Sequence, residues 1–183
     1  MPATTSERRR CGPGAARALL LALCLAAAPA RQDTPPAVGQ AAPALVARTF
    51  NGETVALAAL RGKVVVLNFW ASWCGPCRAE MPALDALYRD YRERGVVVVG
   101  LSADDPHDRK DALKAARGVS YPTGMLTDAV TNGFGPPQTL PLTYVIGRSG
   151  VLSALLRANR GPLSAEQLRV VVEGQLARTH SQP

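Results

Sequence analysis

Histidine is nearly absent from this chain: only two occur in 183 residues, His107 and His180. Cysteine is scarce as well, with four, and aromatic residues make up 5%. The histidine shortage excludes most metal chemistry that a Cys-x-x-Cys pair would otherwise suggest. A structural zinc site needs four ligands, and neither histidine stands at ligand spacing from Cys74 and Cys77. No metal site is expected, and a copper-handling role meets the same shortage. A basic stripe interleaved with aromatics is also missing, so a formal charge of +7 does not point to nucleic acid. The apolar run from Ala18 to Ala28 is about half of the ~20 residues that a membrane-spanning helix needs. No internal repeat is evident.

What is present begins with an uneven charge. Arg8, Arg9, Arg10 and Arg17 against Glu7 give the first 30 residues a net +3, and the remainder carries +4. The arginines, the apolar run and the small residues of Ala28-Pro29-Ala30 form the three parts of a secretory signal peptide over residues 1–30. An uncleaved membrane anchor is the alternative. Leu23 before Cys24 does not suit lipoprotein processing, and Arg10-Cys11-Gly12 does not suit twin-arginine export. Export in this form removes Cys11 and Cys24 and leaves Cys74 and Cys77 as the mature pair. A ring spanning four residues constrains little unfolded-chain entropy, so a structural staple is a poor reading of that pair. Chemistry is the better one.

Residues 31–43, with Pro35, Pro36 and Pro43, read as a linker to a domain over 44–178, followed by a tail over 179–183. Leu45 to Phe50, the turn Asn51-Gly52, and Thr54 to Leu57 read as a β-hairpin. The unbroken apolar run Val64 to Phe69 reads as a strand buried on both faces, as does Val96 to Leu101. Between them, Leu84, Leu87, Tyr88 and Tyr91 repeat at helical spacing over about Gly75 to Arg94, with Gly95 as a cap and Pro82 as an expected kink. A helix over Asp108 to Arg117 follows. A second hairpin covers Leu142 to Leu156, and a final helix opens with a Ser164/Gln167 capping box. Leu168, Val171, Val172 and Leu176 would form that helix's buried face. The stretch from Gly118 to Leu140 has no assignable shape. This order predicts an α/β domain in which helices cover a mixed central sheet, with an N-terminal hairpin extension.

The segment Trp70-Ala71-Ser72-Trp73-Cys74-Gly75-Pro76-Cys77-Arg78-Ala79-Glu80 runs from the end of a central strand straight into a helix. A helix N-terminus offers free N–H groups and about half a positive charge, both of which favour thiolate over thiol. Cys74, at the helix start and toward solvent, is the expected nucleophile. Cys77, one turn in, is less accessible and would resolve the mixed disulfide. Trp73 reads as a surface platform, Trp70 as local packing and Arg78 as a solvated residue.

Trp73-Cys74-Gly75-Pro76-Cys77 resembles the active-site signature of the thioredoxin superfamily. Leu60-Arg61-Gly62-Lys63-Val64 and Glu80-Met81-Pro82 resemble its secreted TlpA/ResA-like branch. The resemblance implies a thioredoxin-like fold and thiol–disulfide exchange in the periplasm or at the outer face of the inner membrane. It implies no cofactor beyond the Cys74–Cys77 disulfide. Expected partners are protein disulfides, such as those of apocytochrome c or copper-centre assembly proteins, with a membrane thiol transporter as electron donor. The chain is expected to be a monomer. A cis-proline opposite the cysteines is matched by Pro141, so Leu140 and Pro141, with Trp73, Gly75 and Pro76, are the implied substrate-binding residues. The buried strand acid common in thioredoxins is replaced by Asn68. Glu80, three residues after Cys77, is the implied proton acceptor. Gly147 departs from an acid common in relatives, but only at a turn. Peroxiredoxins hold peroxide with Thr or Ser three residues before the reactive cysteine, and Ala71 has no hydroxyl. The Gly-Pro insert resembles reducing thioredoxins, with potentials near about −270 mV against about −120 mV for DsbA. A reductase is therefore expected, with oxidase or isomerase as the alternative.

Overall fold

The computed structural model describes Met1 and residues 35–158 and 161–178. The leader (Met1 apart), Cys11, Cys24, residues 31–34 of the linker, His180 and the tail lie outside the described residues. All the elements belong to one compact unit.

The strand β3 (Val64–Trp70) is buried along its whole length, as its seven apolar or amide side chains require. Period-two alternation sends its residues to opposite faces. Val64 and Val66 join one core cluster, and Val65, Leu67 and Phe69 join another. It pairs in parallel with β4 (Val96–Ser102) and antiparallel with β7 (Leu142–Ile146). With β5 (Thr123–Met125) and β8 (Leu152–Arg157) the sheet order is β5-β4-β3-β7-β8. This is a mixed sheet, as the order of strands and helices predicts, and it agrees with the thioredoxin-like fold that the resemblance implies.

The helices α1 (Gly75–Tyr91) and α3 (Ala165–Ala177) cover one face. Leu84, Leu87, Leu168 and Val172 pack there against Val64, Val66 and Val98. Burying each such side chain contributes roughly 1.5–3 kcal/mol. α3 opens on the expected capping box, with Ser164 Oγ accepting from Gln167 N at 3.2 Å and the Gln167 side chain accepting from Ser164 N at 2.9 Å. α1 runs through Pro82 and ends at Tyr91. A 3-10 turn carries the chain to Gly95, whose φ of 85° closes it. α2 (Arg109–Ala116) packs Ala112 and Ala116 near the C-terminal end of β3.

The stretch left without a shape contains two strands. Residues of β5 extend the main sheet beside β4, whereas β6 (Ala129–Asn132) pairs with β1 (Leu45–Arg48). β1 also pairs with β2 (Thr54–Ala56), so the N-terminal hairpin belongs to a second, three-stranded sheet. Gly124 lets the two sheets meet: a Cβ there would lie 2.2 Å from the carbonyl oxygen of Arg48. Residues of the stretch read as a linker are also tied down. Gly39 N and Ala42 N donate to the carbonyls of Leu152 and Gly150, and Leu152 N donates to that of Gln40. The reason is ordinary backbone pairing, with Ala41 bridging to Val151. Among the described residues, no helix is long and apolar enough to cross a membrane.

Candidate active site

Cys74 caps α1. Its φ of −83° and ψ of 103° are non-helical, and its Sγ accepts the N–H of Cys77 at 3.2 Å. Gly75 and Pro76 are exposed and form the first helical positions. Proline suits that place, because its missing N–H would have had no helical partner. Cys74 and Cys77 are joined by a disulfide, with S–S 2.03 Å. Cys74 is the more accessible of the two, at 6% against 1% for Cys77, but it does not face solvent openly as the sequence reading expects. Its sulfur turns back over the helix end, where it meets both Cys77 Sγ and the Cys77 amide. Trp73 stands out beside it, 68% exposed, whereas Trp70 is fully buried and Arg78 is exposed.

The antiparallel register of β3 and β7 sets Phe69 against Leu142 and Asn68 against Thr143. The peptide bond between Leu140 and Pro141 is cis and immediately precedes β7. Leu140 packs against the cluster that holds Cys74, Cys77 and Met81. Two residues far apart in sequence, Leu140 and Cys74, thus share one patch. Beside this segment a cavity of about 180 Å³ opens between Phe69, Phe134, Pro137, Thr139 and Tyr144, with the exposed Arg157 at its edge.

Glu80 is wholly buried, where the sequence suggests partial burial. Its Oε1 accepts from Asn68 Nδ2 at 2.8 Å and its Oε2 from Leu163 N at 3.4 Å. Burial pushes its carboxyl up to about 7, against the opposing pull of those two donors. Asn68 Nδ2 also donates to Thr143 Oγ1 at 2.9 Å. One amide therefore links the helix that carries the cysteines to the strand that follows Pro141. Gly147 forms only the β7–β8 turn, where its N–H donates to Val151 O.

Sequence reasoning passed over Asp104, which is 1% exposed and bonded to Ser72, two residues before Cys74. The available signal was an acid shortly past the apolar run Val96 to Leu101, two residues after the serine that ends the strand. Asp105, His107 and Asp108 cluster within 4.8 Å on the surface, away from the cysteine pair in sequence. Exposed acidic groups of that kind are common without an ion.

A sequence profile of the AhpC/TSA family matches residues 38–155. The thiol-disulfide oxidoreductase ResA of Geobacillus thermodenitrificans is 31% identical over 143 residues, covering 78% of this chain and 80% of that protein. Among solved structures, a thiol:disulfide interchange protein of the thioredoxin family from Chlorobium tepidum aligns with a TM-score of 0.61 at 29% identity. It covers 77% of this chain and 99% of that one. The thioredoxin domain of a thiol-disulfide oxidoreductase from Bacteroides vulgatus aligns with a TM-score of 0.62 at 25% identity, over 76% and 97% of the two chains.

Proposed function

This chain belongs to the AhpC/TSA family and is a ResA-like thiol–disulfide oxidoreductase, and from that premise we propose that it reduces disulfides of partner proteins outside the cytoplasm. The observation that carries the reading is the disulfide-forming pair at the N-cap of α1, with Cys74 Sγ accepting a backbone N–H. The same donor and the positive end of the helix would stabilise a thiolate on Cys74 once the pair is reduced.

In the proposed cycle the Cys74 thiolate attacks one sulfur of the partner's disulfide. The partner's S–S bond breaks, a mixed disulfide forms on Cys74, and the departing partner sulfur takes up a proton. Cys77 then loses its proton and attacks Cys74 Sγ. The mixed bond breaks, the second partner sulfur leaves as a thiol, and two electrons have passed from the cysteine pair to the partner. Glu80, one turn beyond Cys77, is the proposed acceptor of the Cys77 proton. A carboxyl held up at about 7 is suited to exchange protons near neutral pH. Trp73, Gly75 and Pro76 on one side and Leu140 and Pro141 on the other form the proposed seat for the partner's chain. The pair itself is the redox group in this cycle, and no other cofactor is invoked.

Apocytochrome c or a copper-centre assembly protein fits the partner class, with a membrane thiol transporter returning the pair to the dithiol. The leader pattern over residues 1–30 supports export. The test is a glutathione titration combined with insulin reduction. A potential well below about −200 mV and catalysed insulin precipitation are expected. Cys74→Ser should abolish the latter, and Cys77→Ala should trap partners on Cys74. A potential close to that of DsbA would assign the protein as an oxidase instead.

A further inference from the structure

The loop between β3 and α1 is held from below by a buried carboxylate. Asp104 accepts from Ser72 N at 2.8 Å and from Ser72 Oγ at 2.7 Å, and Ser102 Oγ also donates to it. Its own N–H donates to Ser102 Oγ at 3.1 Å. One residue earlier, Ala103 N donates to Trp70 O at 2.7 Å, which continues the β3–β4 pairing past its last registered pair, Trp70 and Ser102. The turn itself contributes the bond from Cys74 N to Ala71 O at 3.1 Å.

Burying a carboxylate is costly unless donors surround it. Asp104 is 1% exposed, and among the described residues no cation pairs with it. Its charge is met by hydroxyl and amide donors, two of which belong to Ser72. Charge-assisted bonds of this kind are about twice as strong as neutral ones. Ser72 is thereby held at both backbone and side chain, two residues ahead of the sulfur whose position over the helix end matters. Holding the reacting group in place is worth large factors in rate, since a displacement of about 1 Å can lose about a hundredfold.

We propose that Asp104 is a positioning residue for Cys74, acting through Ser72 to keep the Cys74 sulfur over the first turn of α1. The inference rests on the reading of Cys74 as the nucleophile. Without the carboxylate the Ala71–Cys74 turn loosens, the sulfur spends less time against the Cys77 amide, and its thiolate is less favoured. Asn at this position keeps an oxygen for the Ser72 N–H, so it should restore most of the effect. A role resting on charge alone would make Asn and Ala equivalent.

The test is the pH profile of iodoacetamide alkylation of Cys74 in the reduced protein, read beside insulin reduction and thermal unfolding. Asp104→Ala should slow alkylation at pH 7 by about tenfold and move the profile to higher pH, with Asp104→Asn within about threefold of the parent. Ser72→Ala, which keeps the backbone bond, should slow it by about threefold. If Asp104→Ala does not fold, Ser72→Ala decides. A folded Asp104→Ala or Ser72→Ala protein with the parent's rate and profile, changed only in unfolding temperature, overturns the inference. Failure of the parent protein to reduce insulin would instead sink the reductase reading, and the alkylation profile would still test the positioning of Cys74.

Discussion

Asn68 and Glu80 meet across the interface of β3 and α1, the amide nitrogen of one donating at 2.8 Å to a carboxylate oxygen of the other, with Glu80 wholly buried. The carboxyl ionises near 4.5 when free and near about 7 here. Between those values the unfolded chain binds fewer protons than the folded one. Stability should therefore fall as pH rises from 4.5 toward 7 and level off above, a loss of roughly 3 kcal/mol. Urea unfolding at a series of pH values measures this. Glu80→Gln should remove that part of the slope, and a parent curve that is flat or rising from this group would contradict the assignment.

Asn68→Ala deletes the donor that draws the Glu80 carboxyl downward and frees Thr143 Oγ1 as well. Glu80 should then titrate higher than in the parent, as read from its carboxyl carbon by NMR. Leaving these groups unpaired should destabilise the fold by roughly 1–3 kcal/mol. A titration point that moved down instead would show that the amide does not favour the ionised form.

The two tryptophans of the motif should separate cleanly. Trp70 is fully buried at the end of β3, so Trp70→Ala should cost about 3–5 kcal/mol in unfolding free energy. Trp73 is 68% exposed, and Trp73→Ala should leave stability within about 0.5 kcal/mol of the parent. It should still slow reduction of a protein disulfide more than that of a small one, if Trp73 supports the partner's chain. Equal slowing on both substrates would argue against that contact.

Gly124→Ala would set a methyl group 2.2 Å from the backbone oxygen of Arg48, in a place where no flexible side chain can yield. The two sheets would have to separate locally. A loss of about 1–3 kcal/mol or more is expected from overpacking of this kind, measured by thermal unfolding. Gly75→Ala, which meets nothing within 4 Å, is the control and should unfold close to the parent.

Much of the fold was legible because its signals are local. The apolar runs at Val64 and Val96 marked the two central strands, and the Ser164/Gln167 spacing marked the start of α3. β5 and β6 escaped because neither is written in its own residues. Thr123–Met125 is three residues long with a glycine at its centre, and Ala129–Asn132 has two exposed residues between two half-buried ones. Each exists because a distant strand offers it hydrogen bonds. For the same reason Asp104 passed unnoticed: its partner Ser72 lies 32 residues away, and only the β3–β4 pairing brings them together.

The sequence by itself determined the cysteine pair, its spacing, its entry into a helix and the alternation of strands and helices around it. These depend on neighbours within a turn or two of chain. Tertiary structure alone decided that Leu140 would pack against the cluster that holds Cys74, that Glu80 would be sealed under Asn68, and that Asp104 would grip the loop in front of the sulfur. Those relations arise when the chain crosses over itself and buries polar groups that must then find donors and acceptors. Which ones they find depends on the register and depth of the sheet, and neither is encoded in any single segment.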